Sequence, residues 1–168
     1  KSIVCDSSIL PFRDASVDVV FCKEFLHHIE DYSSLINEIN RVLKKGGILD
    51  IMLYNDNSLY KYLNVYLRYG LLKFKFFEGL SKQELKNKFT DGKEIGGAPL
   101  SKYYSKKDLD KLFPDLKLNY YHCFEQKNFF SFWVPKKYKS WFNNLIPNSL
   151  YTFIFKHIGF LMFGRLSK

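Results

Sequence analysis

The chain has 168 residues, 46% of them hydrophobic and 18% aromatic, with a formal net charge of +9. That composition can bury one core and excludes disorder along the whole chain. The lysines are spread out rather than gathered in a run, so the charge describes a solvated basic surface and singles out no nucleic acid or anionic lipid as partner. Cys5, Cys22 and Cys123 are odd in number, far apart and form no C-x-x-C pair. They argue against a disulfide framework or zinc knuckle and fit a reducing, cytoplasmic compartment.

The start, Lys1-Ser2-Ile3-Val4-Cys5, has no initiator Met and no signal-peptide pattern, so the chain reads as the middle of a longer product. Residues 2–5 are a short β-prone run stopped by Asp6-Ser7-Ser8. Residues 17–22 are nearly all apolar behind the turn-like Arg13-Asp14-Ala15-Ser16, and both runs predict buried strands. Leu35, Ile36, Ile39, Val42 and Leu43 recur at helical spacing, with Asp31 or Ser33 as N-cap, Lys44 and Lys45 in the last turn and Gly46 beyond. Residues 48–54 follow as a third strand. Strand, helix and strand with short connections predict a parallel βαβ unit and hence an α/β sheet.

Further along, residues 59–72 predict a helix whose polar stripe is Lys61, Asn64 and Arg68 and whose broad Leu, Val and Tyr face needs a cover. Ser81-Lys82-Gln83-Glu84 reads as a capping box. Ser105-Lys106-Lys107-Asp108 opens a second helix that Pro114 ends, and a glycine-bearing loop over 90–99 lies between them. Residues 116–122 and 158–166 predict an antiparallel strand pair, separated by an aromatic stretch with Trp133 and Trp141. The apolar residues 150–163 hold Lys156 and His157 and fall short of the roughly 20 residues of a spanning helix, so no transmembrane segment is expected.

Three segments stand out together: Asp6-Ser7-Ser8-Ile9-Leu10-Pro11-Phe12; Val17-Asp18-Val19-Val20 running on to Leu26-His27-His28-Ile29-Glu30-Asp31; and Glu38-Ile39-Asn40-Arg41-Val42-Leu43-Lys44-Lys45-Gly46-Gly47. In order and spacing they resemble the type 11 group of class I S-adenosylmethionine-dependent methyltransferases, which includes quinone-biosynthesis enzymes. Val17 stands where that pattern usually has Phe, and Lys45 where it usually has Pro. The resemblance implies a Rossmann-like doubly wound sheet, S-adenosyl-L-methionine as cofactor, and a site outside the carboxyl ends of the strands. It implies that Asp6 accepts from the adenine amino group, that the backbone N–H of Ser7 faces a ring nitrogen, and that Cys22 and Lys23 line the cofactor beside the sulfonium. Read as residues alone, Asp6 before two serines also fits a turn that bonds its own backbone, and Asp18 is expected to bond local backbone. His28, beside His27, is the candidate general base, against a packing or capping role at the strand exit. No metal site is expected.

The family's glycine-rich strand-to-helix loop and its acidic ribose contact are not found in these residues, since no glycine of the nine follows a strand and opens a helix. The expectation is therefore an N-terminally truncated chain. Residues 1–54 would be the C-terminal part of the cofactor-binding core and 55–104 a helical cap or substrate region. Residues 105–168 would supply the remaining helix and antiparallel strand pair, with an aromatic insertion at 123–150. The cap is expected to fold over the carboxyl edge near Cys22 to His28 and to line an acceptor pocket with Tyr60, Tyr62, Tyr66 and Tyr69. The expected activity is methyl transfer to a small apolar or aromatic acceptor, with the isolated piece inactive. The alternatives are a non-catalytic binding or regulatory protein of the same fold and a peripheral membrane protein; no nucleic-acid partner is expected.

Overall fold

The computed structural model describes residues 4–91, 93–125 and 134–168. The apolar run β1 (Val17–Lys23), the amphipathic helix α1 (Ser33–Val42) and the strand β2 (Leu43–Tyr54) form the expected βαβ unit, with β1 and β2 parallel. β3 (Lys117–Phe124) and β4 (Leu161–Ser167) pair antiparallel, and β4 also pairs antiparallel with β2, giving the sheet order β1-β2-β4-β3.

The register fixes two faces, because side chains alternate along a strand. Cys22 lies opposite Ile51, Ile51 opposite Gly164, and Gly164 opposite Tyr121. This face takes Leu35, Ile36 and Ile39 of α1 and Leu109 and Leu112 of α3 (Lys106–Leu112) into one core. On the other face Val19, Phe21 and Tyr120 remain 54%, 60% and 53% exposed, and a bidentate Asp50–Arg165 pair at 2.7 Å spans β2 and β4. That sheet face is mostly open to solvent.

A second core lies beyond the carboxyl end of β2. A π-helix (Tyr60–Leu72), α2 (Lys82–Phe89) and α5 (Asn148–Ile158) bury Tyr60, Val65, Leu85, Tyr151 and Phe155. Phe160 stacks on Tyr54 with ring centroids 4.7 Å apart and meets Tyr60 at 4.5 Å, so the two cores touch through rings. Both capping boxes form as read, Ser81 with Glu84 and Ser105 with Asp108. No helix among the described residues is long and apolar enough to cross a membrane.

Several sequence expectations need correction. Of the run 2–5, Ser2 and Ile3 lie outside the described residues, and Val4 and Cys5 join no strand. α1 stops at Val42, so Lys44 and Lys45 belong to β2: Leu43 already pairs with Val17, and Gly46, at φ 78°, sits in a bulge before regular pairing resumes at Ile48. Neither Asp31 nor Ser33 is the N-cap, which is Tyr32; Asp31 instead accepts from the Ser33 N–H at 3.0 Å. Asp18 accepts from Lys44 Nζ at 2.8 Å rather than from local backbone. The polar stripe of 59–72 is inverted, with Lys61 and Asn64 buried while Tyr62, Leu67, Leu71 and Leu72 are exposed. The strand expected over 158–166 starts only at Leu161, because Ile158 is the last residue of α5, a helix the sequence did not suggest. Trp141 lies on α4 (Lys139–Leu145) and is exposed, whereas Trp133 and Gly92 lie outside the described residues.

Candidate functional site

Parallel strands carry their loops at a common edge, and of the residues singled out in the sequence Cys22, Lys23, His27 and His28 fall there, at the end of β1 and in the turn that follows it. After Lys23 the chain turns at Glu24 (φ 51°), whose N–H donates to the Met52 carbonyl at 3.2 Å, and enters a 3-10 turn, Leu26–His28. Cys22 and Lys23 line a cleft of about 370 Å³ with Leu10, Val20, Phe21, Phe25, Leu35 and Ile39. Burial pushes the Cys22 thiol up, with a smaller opposing pull from the Leu26 backbone, so it sits here as a neutral apolar group.

Asp6 and Ser7 do not line that cleft. The Asp6 carboxylate accepts from both the Ser8 N–H and the Ser8 hydroxyl at 2.8 Å, which is the turn geometry, and these bonds hold its pKa below the usual carboxylate range. The loop that carries them reaches the cleft at Leu10, and α1 clamps it there. Glu38 accepts from the Leu10 N–H at 2.7 Å, while Arg41 donates to the Leu10 and Phe12 carbonyls and to Asp14 and Glu38. Arg41 first, and the Leu10 N–H next, depress the Glu38 carboxyl to about 2. Both residues belong to the third sequence segment, yet no role was read for them; their i, i+3 spacing on α1 was the available signal.

His28 lies on the opposite side of the 3-10 turn. Its Nδ1 donates to the Leu100 carbonyl at 2.7 Å, and its Nε2 lies 3.9 Å from Asp91 Oδ2. His27 is fully buried against Tyr54, ring centroids 3.7 Å apart, and burial together with His28 lowers its pKa to about 3, so its ring is neutral. Residues 100–104 run alongside: Lys102 N–H donates to the His27 carbonyl, and Tyr104 N–H to the Tyr54 carbonyl. Of the four tyrosines expected in a pocket wall, Tyr60 is buried in the second core, Tyr69 stacks on Phe89 at 4.1 Å, Tyr66 meets Phe76 at 6.4 Å and Tyr62 is half exposed. None of them lines the cleft at Cys22.

The mixed sheet, with a parallel β1–β2 pair joined through α1, is a Rossmann-like α/β architecture, a fold that holds ligands outside the carboxyl ends of its strands. Residues 1–51 match the methyltransferase domain family of type 11. The chain is 38% identical over 71 residues to a ubiquinone/menaquinone biosynthesis C-methyltransferase of Desulfotalea psychrophila, a match covering 40% of this chain and 29% of that protein. It is 48% identical over 44 residues to 27-O-demethylrifamycin SV methyltransferase of Amycolatopsis mediterranei, covering 26% of this chain and 16% of that one. Among solved structures, a SAM-dependent methyltransferase of Methanosarcina mazei superposes with a TM-score of 0.57 at 20% identity, over 99% of this chain and 66% of that one. One of Thermotoga maritima gives 0.53 at 15%, over 98% and 62%. Residues 1–51 thus resemble the type 11 methyltransferase domain, and the solved structures share the chain's Rossmann-like fold. The matched part spans less than a third of the curated relatives' length.

Proposed function

We propose that the protein transfers a methyl group from S-adenosyl-L-methionine to a small acceptor, with the cofactor seated at the carboxyl edge of β1. The observation that carries this reading is the cleft beside Cys22 and Lys23, at the strand edge where this fold holds ligands. Its volume falls in the usual range for ligand sites, and its apolar wall suits an adenine face, so the residues present fit the cofactor. Cys22 and Lys23 would flank it, and the loop that Arg41 pins at Leu10 would have to close over the cleft for Ser7 N–H and Asp6 to reach the adenine edge, since neither lines it here. When bound, S-adenosylmethionine supplies an electrophilic methyl on a sulfonium. Against it the chain's own residues have to position the acceptor within about 3–3.5 Å and exclude water.

Residues 55–104 supply the candidate acceptor wall, since Leu100 and Lys102 already hydrogen-bond the two histidines. His28, with Nδ1 engaged by Leu100, has its Nε2 lone pair available to an acceptor proton. The aromatic surroundings of Tyr54 and Tyr103 favour an apolar or aromatic acceptor. The glycine-rich half of the cofactor site would come from sequence outside these 168 residues, and the piece alone would be inactive.

The test is calorimetry of S-adenosylhomocysteine binding to a protein extended to relative length, with Asp6→Ala alongside. Binding should appear in the extended protein and weaken in the variant. Absence of binding in the folded, extended protein overturns the reading; unchanged affinity in the variant returns Asp6 to its turn role.

A further inference from the structure

The exit of β1 holds a second set of chemical groups that cofactor binding does not use. One ring nitrogen each of His27 and His28 and a carboxylate oxygen of Asp91 all lie within 4.8 Å of one another. His27 is fully buried, and neither of its ring nitrogens has a hydrogen-bond partner among the described residues. Unpaired buried polar atoms are rare in native proteins, and a bound ion is one of the few explanations for them. His28 is held in the way metal-bound imidazoles are held. A carbonyl can only accept, so Nδ1 carries the proton toward Leu100 and Nε2 keeps its lone pair toward Asp91.

From this geometry we propose that His27, His28 and Asp91 form a three-ligand site for a divalent transition-metal ion of the zinc type. Two imidazoles and one carboxylate suit Zn²⁺ and its neighbours, whereas magnesium and calcium take oxygen ligands. Tetrahedral zinc with bonds of about 2.0–2.2 Å sets its ligand atoms about 3.3 Å apart. The 3.9 Å between His28 Nε2 and Asp91 Oδ2 is near that spacing. His28 is held by Leu100 and His27 by burial, so the half-exposed Asp91 side chain is the ligand that would shift to close the set around an ion. Asp91 lies outside the residues 1–51 that match the family, so the third ligand comes from the region between the two capped helices rather than from the shared motif.

Three ligands leave one position open, next to the wall formed by residues 100–104. A hydroxyl or carbonyl oxygen of an acceptor would complete the tetrahedron there. With the ion bound, the Nε2 lone pair of His28 is taken, so His28 would act on an acceptor through the ion and not as a free base. This last step rests on the methyl-transfer reading; ion binding itself does not.

The test titrates the metal-stripped chain with cobalt chloride and follows the visible d–d bands, with zinc chloride as competitor. One equivalent of tetrahedral, zinc-displaceable cobalt is expected. His28→Ala and Asp91→Asn, both partly exposed and so least disruptive to folding, should each weaken it by about tenfold or more. His27→Ala, checked for folding by circular dichroism, should abolish the bands. A spectrum that stays that of hydrated cobalt overturns the proposal, as do full-strength bands in both exposed variants. Because no S-adenosylmethionine is present, failure of the methyl-transfer reading leaves these outcomes unchanged.

Discussion

A single arginine shapes the loop that leads into the candidate cofactor cleft. Arg41 donates to the Leu10 carbonyl at 3.0 Å, the Phe12 carbonyl at 2.8 Å and Asp14 at 2.6 Å, and Glu38 holds its other edge while accepting from the Leu10 N–H. The Glu38 carboxyl is depressed to about 2 in the fold and returns to about 4.3 when unfolded. A depressed carboxyl contributes stability that is fully present above the unfolded value and is lost as pH falls from about 4.3 toward 2. Urea unfolding measured between pH 6 and 2.5 should therefore fall more steeply for the native chain than for Glu38→Gln, and the two curves should converge at the acid end. Curves that stay parallel would show that the carboxylate does not hold the loop. The types of these two residues could be read from the sequence, and so could their placement on α1. Their partners in the loop are 27 to 31 residues away, and no local spacing encodes that contact. The same limit hid Asp91, which reaches His28 only because the chain after α2 turns back to the sheet edge.

The π-helix shows how one element can invert a pattern. Reading 59–72 at 3.6 residues per turn put Lys61 and Asn64 on a wet stripe, but i→i+5 bonding widens the turn and rotates each successive side chain by less. Lys61 is consequently buried, its Nζ 2.6 Å from Asp56 Oδ1 and 4.6 Å from the Tyr62 ring centroid. Removing one partner of a buried pair leaves a charge that water cannot reach. Asp56→Ala should cost about 3 kcal/mol at most, toward the low end for such pairs because Asp56 is itself 45% exposed, and adding Lys61→Met should recover most of the loss. Thermal unfolding of the single and double variants checks this; a double variant no more stable than the single one would mean that the ammonium is solvated. α5 was missed for a related reason. Its Tyr-Thr-Phe-Ile-Phe run has strand composition, yet Pro147 starts a helix there, and Tyr151 and Phe155, four apart, meet at 4.5 Å on its buried side. The βαβ unit and the two capping boxes were legible because burial period and cap chemistry agree within each segment.

At the scale of the whole molecule, the question is what makes two cores one fold. The sheet core and the helical core share few side chains, and their junction falls at the end of β2. There Asn55 is completely buried, donating through Nδ2 to the His157 carbonyl at 3.1 Å and the Gly159 carbonyl at 2.9 Å. Its Oδ1 accepts from the Asn57 N–H, and its own N–H donates to the Phe160 carbonyl. One side chain thus fastens the carboxyl edge of the sheet to the end of α5. Gly159 beside it can hardly be replaced, because a Cβ there would come within 2.4 Å of the Phe124 backbone. Asn55→Leu keeps the volume close but leaves the two carbonyls without their donor, at a cost of about 1–3 kcal/mol. If the junction couples the cores, hydrogen exchange in this variant should accelerate in α5 and the π-helix, while the β1–β2 amides open only with the whole molecule. Equal acceleration in both cores would mean that the stacked rings of Tyr54, Phe160 and Tyr60 suffice to join them, and that Asn55 contributes stability without setting the joint.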